Sequence, residues 1–332
     1  MTAAGSIRAA RLSDRQALVA LSRQVHDAAE GYRRSLGVPA RSAVPQRISL
    51  ATLMPSWLPL RSPSVHLVAE WEGQLVGSCR AIEEPHRDDW VITELDAADS
   101  PMAAEVRYSL LRAVIEEGAQ RNVARYHAAC ADVPENMELF GQLSFMAYAH
   151  EEIWYRPPDG LAAAPAATGE PMVPTAASDA WHLFDLWTHA TPPAIARIEA
   201  YGAADWEPVG HEAVVPRSSL NPLLHFSDVK GWLLPDGQRV AGFAQHGACR
   251  AGPHYLRFLV RDGADGAGFL GAVLAAVGAD ALSAGILAPV RTYESTGRQA
   301  AEATGFEPVG QVIILVREVR ATLRQPAMVP AV

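Results

Sequence analysis

The chain has 332 residues, a length that fits two domains better than one. Apolar residues make up 49% and charged residues 20%, which allows ordinary hydrophobic cores and argues against wholesale disorder. The formal net charge is −9 and Lys230 is the only lysine, so nucleic acid is not an expected partner.

The first predicted elements are a short strand and a helix in SIRAARLSDRQALVALSRQVH, where Ser13 or Asp14 is placed to cap the helix. A β-hairpin follows in VHLVAEWEGQLVGSCRAI, with its turn at Glu72-Gly73. The strand DWVITELDA then leads into a helix from Met102 to about Arg121, because apolar residues recur there at three- and four-residue steps. A strand in RYHAACA, a short helix in ENMELFGQL and an extended run, FMAYAHEEIWYR, close the first half.

The same order of elements returns later in the chain. A hairpin in GWLLPDGQRVAGFAQHG has its predicted turn at Asp236-Gly237, and it is followed by HYLRFLVR, an apolar helix, GILAPVR, ESTGRQAAEAT and EPVGQVIILVREV. Gly237 lies 164 positions after Gly73, and Phe306 lies 161 positions after Phe145. A period of this length indicates a duplicated domain rather than a solenoid repeat.

The stretch between the two copies, PPDGLAAAPAATGEPMVPTAAS, is rich in Pro, Ala and Gly and is typical of a linker. We therefore expect domains at residues 1–156 and 179–320, a linker at 157–178 and a flexible tail at 321–332. Residues 192–224 do not fit the repeated plan.

This duplicated order resembles the GNAT superfamily of N-acyltransferases, in a tandem form. The family ends its short fourth helix in Gly-Phe, which Gly305-Phe306 matches, while Ser144-Phe145 keeps only the Phe. Asn136 matches the family's Asn at the start of that helix. The resemblance implies an α/β fold of two tandem GNAT-like domains, each a mixed, mostly antiparallel sheet flanked by helices.

Family members bind acetyl-CoA with a loop of the form Q/R-x-x-G-x-G/A, where a helix N-terminus receives the pyrophosphate. In the second half, Gly266 and Gly268 match this loop and Gly263 stands where Gln or Arg is expected; in the first half only Ala104 fits. The resemblance implies acetyl-CoA or another acyl-CoA as co-substrate, with contacts from Met102, Ala103, Ala104, Gly266, Ala267, Gly268 and Phe269.

Two other interpretations of the glycines stay open. With Gly271 they also spell the dinucleotide fingerprint G-x-G-x-x-G, although Gly266 comes about five residues after the strand, where that fingerprint wants it almost at once. The helix from Phe269 to Ala279 has no charged residue, so the glycines also suit close packing of a buried helix.

Acyl transfer to an amine needs a base, and the family often uses a Glu on its fourth strand. Glu94 matches that position and, with Asn136, is the candidate catalytic residue; the alternative for Glu94 is a solvated strand-end charge. Phe140 and Ala301 stand where many relatives have a Tyr as the acid. A catalytically silent binding module, or a GNAT fold recruited to another reaction, is therefore the alternative function.

A nucleophilic Cys–His pair is not expected, because His127 and Cys130 are three positions apart on a strand and face opposite sides. The cysteines, Cys79, Cys130 and Cys249, are few and far apart, which predicts a reducing compartment and no structural zinc. The histidines show no ligand spacing, so no metal site is predicted.

The expected partner is a small-molecule amine, with no membrane partner and an undetermined oligomeric state. No signal-peptide core or apolar run long enough to cross a bilayer is present, which predicts a cytoplasmic protein. In the family the acceptor pocket falls in the region that here contains Glu30, Tyr32 and Arg33, and acidic residues rim the neighbouring strands: Glu83, Glu84, Asp88 and Asp89. These charges either favour a cationic amine or are simply solvated.

Overall fold

The computed structural model describes residues 5–21, 64–84, 87–158, 171–213, 226–249, 252–278 and 284–319. The first half comprises β1 (Ser6–Ala9), β2 (Ser64–Trp71), β3 (Gln74–Glu83), β4 (Asp89–Ala97), β5 (Arg125–Ala131) and β6 (Met146–Arg156), with helices α1 (described over residues 15–21), α2 (Ala103–Gln120) and α3 (Pro134–Gln142). The second half comprises β7 (Val173–Pro174), β8 (Phe226–Asp236), β9 (Arg239–Cys249), β10 (His254–Val260), β11 (Ile286–Arg291) and β12 (Glu307–Glu318), with helices α4 (Ala180–Ala190), α5 (Pro193–Glu199), α6 (Gly266–Val277) and α7 (Ser295–Ala303).

The duplication is visible in both hairpins, with one correction to the predicted register. Trp71 pairs with Gln74, so the first turn lies at Glu72-Gly73 as predicted. Asp236 pairs with Arg239, so the second turn lies at Gly237-Gln238, one residue after the predicted position. The true offset between the hairpins is therefore 236 − 71 = 165, because Asp236 ends a strand instead of entering the turn.

The strands of the described residues form one sheet in the order β1-β2-β3-β4-β5-β12-β6-β11-β10-β9-β8-β7. The last strand of each half is exchanged: β12 lies between β5 and β6, and β6 lies between β12 and β11. The sequence predicts β6 as the strand that closes the first half, whereas it also completes the sheet of the second half.

The exchange has an approximate twofold axis. Glu151 of β6 pairs with Val312 of β12, and 312 − 151 = 161 is the same offset as 306 − 145 = 161 between the two Phe residues. A residue that pairs with its own equivalent lies beside the axis that relates the two copies. The chain is thus built like a symmetric dimer whose two copies are joined in sequence.

Helices cover both faces of the sheet. In the first half, α2 and α3 pack on one face through Leu110, Val114 and Phe140. Helix α1 lies on the opposite face, where Leu18 meets Val68. In the second half, α6 and α7 share one face and α4 lies on the other, because alternate residues of each strand point to opposite sides.

The predicted linker contains one ordered pairing at its end. Val173–Pro174 forms β7, which pairs with β8 at the edge of the sheet. Within the region 192–224 that the sequence leaves unassigned, α5 is followed by a 3-10 helix at Ala203–Trp206. The tail at 321–332 lies outside the described residues, and the proposed domain boundaries remain a prediction.

Strand exchange predicts that the two halves unfold in one transition, since neither sheet is complete without the other half. Ile314→Ala, on buried β12, should cost about 2–5 kcal/mol and lower the melting temperature reported by calorimetry and by tryptophan fluorescence together. Ile7→Ala, on the exposed edge strand, is the matched control with a small effect. Two separate transitions in the wild type would contradict this.

Candidate functional site

Each half contains a gap between two parallel strands. In the first half, β4 and β5 pair only from Asp89–Arg125 to Val91–His127. In the second half, β10 and β11 pair only at His254–Ile286 and Tyr255–Leu287. Beyond these pairs no further pairing joins them in the described residues, so each gap lies at the carboxyl ends of its strands. This is where ligands commonly bind in α/β sheets.

Glu94 lies on β4 beside the first gap. The register shifts at Thr93, so that Ile92 faces Ala81 and Glu94 faces Arg80. Such bulges re-aim side chains and are frequent near active sites. The Arg80 Nη1 atom lies 3.7 Å from the Glu94 Oε1 atom, beyond hydrogen-bond distance. Burial raises the pKa of Glu94, against the lowering effect of Arg80. Glu94 is therefore not a solvated strand-end charge.

A second carboxylate, which the sequence analysis missed, lies two residues further along β4. Burial and the neighbouring Glu94 charge raise the pKa of Asp96 to about 6, against the opposing effect of Arg107. Glu94 and Asp96 point to the same side of the strand, opposite to Leu95, which packs on the core under α2. The signal available in the sequence was the two-residue spacing of Glu94 and Asp96 on one predicted strand, since alternate residues of a strand face the same side.

Asn136 and Phe140, on α3, support the loop after β5. The Asn136 Nδ2 atom donates to the Ala131 carbonyl at 3.1 Å, which braces the turn from β5 into α3. Phe140 is buried and packs edge-on against Phe145, with ring centroids 5.1 Å apart. The helix thus places a braced turn, without a Tyr hydroxyl, next to the first gap.

The N-terminus of α2 carries no side-chain cap among the described residues. Met102 and Ala104 are exposed there, and Ala103 is half-buried. The amide groups of a first helical turn are unpaired within the helix and carry its positive dipole end. The start of α2 is therefore accessible to an anion.

The N-terminus of α6 is occupied. The Asp265 Oδ1 atom accepts a hydrogen bond from the Gly268 amide at 2.9 Å, so a carboxylate already sits where a phosphate would bind. A side chain at Gly266 would lie 3.2 Å from the Ala300 methyl group of α7. Phe269 is buried and Ala267 half-buried. These contacts favour the packing interpretation of the glycines over both nucleotide interpretations.

The second gap is closed by a buried ion pair. Arg80 pairs with Glu94 in the first half. With the hairpin offset of 165, the residue equivalent to Arg80 is 80 + 165 = 245, and Gln245 pairs with Arg257. Arg257 therefore occupies the position equivalent to Glu94. Its Nη1 atom donates to Glu294 Oε2 at 2.8 Å and its Nη2 atom contacts Glu294 Oε1. Burial alone would lower the pKa of Arg257, but Glu294 keeps it above its usual value. Because Glu294 follows β11, the pair spans the gap.

The acidic rim is largely neutralised by arginines. Glu83 lies 3.2 Å from Arg121, and both Glu84 and Asp89 lie near Arg87, at 3.5 Å and 3.1 Å. Glu30, Tyr32 and Arg33 lie outside the described residues. The rim therefore supplies little net charge for substrate selection.

The remaining candidates behave as packing residues. Cys130 packs against the core under α2 and α3. His127 lies on the opposite face, 3.8 Å from Asp89, as predicted.

Within the described ranges, no cluster of His, Cys, Asp or Glu has metal-binding geometry and no helix is long and apolar enough to cross a membrane. A cavity of 1040 Å³ between α2 and β1–β2 has neither Glu94 nor Asn136 in its lining.

Comparison with known proteins gives a match in structure but not in sequence. No protein-family model matches the chain, and no curated protein matches its sequence. A tandem GNAT protein from the clavulanic acid biosynthesis pathway superposes with a TM-score of 0.55 at 12% identity, over 95% of this chain and 98% of that one. A GCN5-related N-acetyltransferase from Sphaerobacter thermophilus gives 0.55 at 12% identity, over 95% of each chain.

The chain has the tandem GNAT fold. The predicted fold class, a mixed and mostly antiparallel sheet flanked by helices in two tandem GNAT-like copies, is confirmed. Within this tandem GNAT fold the two copies differ at the same place. Among the described residues Glu94 makes no ion pair across the first gap, whereas Arg257 and Glu294 bridge the second.

The Arg257–Glu294 pair is predicted to hold the second half closed. Arg257→Met or Glu294→Gln alone should cost about 3–5 kcal/mol in unfolding free energy, because each leaves a buried partner uncompensated. The double variant should cost less than the sum of the two. The exposed Arg112–Glu116 pair on α2 is the control, with a coupling of at most about 0.5 kcal/mol. Strict additivity at Arg257 and Glu294 would disprove the coupling.

Proposed function

We propose that this protein is an acyl-CoA-dependent N-acyltransferase that transfers an acetyl or other small acyl group to a small amine, with its chemistry in the first half. The observation that carries the proposal is the asymmetry between the two gaps. Among the described residues, the first has a gap that no ion pair of Glu94 bridges, a carboxylate of raised pKa and a helix N-terminus without a side-chain cap. The second has lost all three.

The start of α2 suits the pyrophosphate of an acyl-CoA. Met102, Ala103 and Ala104 would hold it through backbone amides, since small or flexible side chains allow close approach and the helix dipole favours an anion. Exposed Asp99, just before the helix, works against a phosphate and lies in a solvated loop. The thioester arm would lie in the gap between β4 and β5.

Glu94 is the proposed base. The acceptor amine arrives as an ammonium ion and must lose a proton before its nitrogen attacks the thioester carbon; Glu94 takes that proton. The carbon–nitrogen bond forms as the carbon–sulfur bond breaks. The nitrogen then releases its second proton to water, and the leaving thiolate takes a proton from water because Phe140 has none to donate. A carboxylate whose pKa is raised by burial is the better base for this step.

The other residues have supporting roles in this proposal. Asn136 is a positioning residue, because its amide braces the Ala131 carbonyl rather than facing the gap. The second half is a structural partner that supplies β12. For that half alone, the closed gap and Ala301 in place of a Tyr favour the alternative of a catalytically silent module.

Matched substitutions test which helix binds the cofactor. Ala104→Asp and Ala267→Asp place the same charge at the second residue of α2 and of α6. We expect Ala104→Asp to weaken acetyl-CoA binding at least about tenfold, through charge repulsion, and Ala267→Asp to leave it unchanged, as measured by calorimetry. Loss of binding only in Ala267→Asp would move the site to the second half. If the wild type does not bind acetyl-CoA, the proposed function is disproved.

Glu94→Gln tests the base. The turnover number with a reactive amine should fall about 10²- to 10⁴-fold, while acetyl-CoA affinity stays the same. In the wild type, kcat/KM should rise with pH until Glu94 is ionised, at a pH above the ordinary Glu range because its pKa is raised. Glu116→Gln, on the exposed face of α2, is the control. Unchanged turnover in Glu94→Gln would exclude this residue as the base.

A further inference from the structure

A row of polar side chains crosses the first half on the face opposite to α2. His66 of β2 pairs with Arg80 of β3, which pairs with Glu94 of β4. One row further along, Ser78 pairs with Asp96. All five alternate with residues of the core under α2, so they share the face on which α1 packs. The row runs from β2, next to the edge strand β1, to β4 at the first gap.

The members of this row are poorly satisfied within the described chain. His66 is only 7% exposed, and neither ring nitrogen has a hydrogen-bond partner among the described residues. The Arg80 Nε atom is also buried and also has no hydrogen-bond partner among the described residues. The Arg80 Nη1 atom lies 3.7 Å from the Glu94 Oε1 atom. Buried polar groups in native proteins are nearly always hydrogen-bonded. Unsatisfied donors beside a candidate active site therefore point to a ligand.

The row has two chemically different ends. Arg80 and His66 offer donors for an anion, while Glu94 and Asp96 offer acceptors for a cation. Burial, together with the Arg80 charge, lowers the pKa of His66 to about 4, against a weaker opposing effect of Asp14, so His66 is neutral near pH 7 and donates one N–H. Of the charges around the row, Asp14 is held by Arg8 at 2.6 Å, and Arg107 of α2 acts on Asp96.

We propose that the acceptor is an amine that also carries a carboxylate, that is, an amino acid or a close analogue. This inference rests on the proposed acyltransferase function and specifies its substrate. The ammonium group lies between Glu94 and Asp96 beside the gap, and the carboxylate is bound by the Arg80 guanidinium with His66 behind it. A planar guanidinium matches a carboxylate with two parallel hydrogen bonds.

The spacing agrees with such a molecule. Arg80 is one strand from Glu94 and His66 is two strands from it. Adjacent strands lie about 4.8 Å apart, so the row spans a length that a small amino acid can bridge. The amine end therefore lies next to the position of the acyl group and the carboxylate end lies away from it. The second half does not have this row. With the same offset of 165, the residue equivalent to His66 is 66 + 165 = 231, so the equivalents of His66, Arg80 and Glu94 are Gly231, Gln245 and Arg257. There the Gln245 Nε2 atom is already satisfied by the Ala213 carbonyl, at 3.3 Å.

The experiment is an acceptor panel of matched amines with acetyl-CoA. Glycine, β-alanine and a longer amino acid are compared with their amides and with the corresponding simple amines; phosphoethanolamine against ethanolamine tests phosphate as the anion. For the wild type we expect kcat/KM for the carboxylates to exceed that for their amides at least tenfold. Equal rates for carboxylates and amides would overturn the proposal, as would a preference for phosphoethanolamine.

Variants separate recognition from folding. Arg80→Met should raise KM for the carboxylates about tenfold more than KM for the simple amines. The comparison is made at the pH optimum of each enzyme, because Arg80 also lowers the pKa of Glu94 and its loss changes kcat for every amine. His66→Phe, which keeps the ring shape without nitrogens, should give a smaller effect in the same direction. Arg112→Met, on the exposed face of α2, should change neither. An equal loss for all amines in Arg80→Met would show a structural role and overturn the proposal.

A second measurement separates this inference from the acyltransferase proposal. The melting temperature is recorded with each amine and without acyl-CoA. Stabilisation by amino acids that is lost in Arg80→Met, without turnover of any amine, would support the site and overturn the acyltransferase function. Turnover of simple amines without preference would overturn the site and leave the function. Neither stabilisation nor turnover would overturn both.

Discussion

Strands β6 and β12 pair antiparallel from Tyr155–Glu307 to Met146–Val316, and each also pairs with a strand of the other half. At the centre of this pairing, charged groups are buried together. The Arg291 Nε atom lies 3.2 Å from Glu151 Oε2, and its Nη2 atom lies 3.1 Å from Glu199 Oε1 of α5. Burial would lower the pKa of Arg291, yet the two carboxylates hold it well above its usual value. The halves are joined through charges that only their docking brings together.

Helix α5 extends this junction across the first half. The Tyr148 hydroxyl contacts Glu199, and Arg125 donates to the Ile198 carbonyl at 2.7 Å. Arg87 donates to the Glu199 carbonyl at 2.8 Å and stacks over Tyr201. Networks of this kind rigidify an interface, because each buried member depends on the others for its hydrogen bonds. The second half therefore supports the sheet that carries the first gap, whether or not it binds a ligand of its own.

The two copies differ in how their buried polar groups are satisfied. In the second half, Arg257, Glu294 and Asp265 satisfy one another or the backbone, and the site is closed. In the first half, His66 and Arg80 Nε stay unsatisfied within the described residues, which carries a cost in stability. This difference agrees with the proposal that a ligand completes the hydrogen bonds of the first half.

The order of elements could be predicted because it follows from local patterns: the apolar steps of α2, the Glu72-Gly73 turn and the repeat of the whole plan. The place of Glu94 on a strand beside a helix start followed from the same patterns. Local patterns place the second turn one residue too early, at Asp236-Gly237, because Asp-Gly is a strong local turn signal. The strand pairing overrides that signal and puts the turn at Gly237-Gln238.

Local patterns of residues are thus enough to predict which elements form, their order and their duplication. Three features appear only in the folded chain: the exchange of β6 and β12, the contact of Arg257 with Glu294, and the row formed by His66, Arg80 and Glu94. These contacts join residues from 14 positions apart, as for His66 and Arg80, to 318 − 125 = 193 positions apart, as for Arg125 and Glu318. They depend on which strands become neighbours and in what register, and burial then sets the protonation of the groups that meet there.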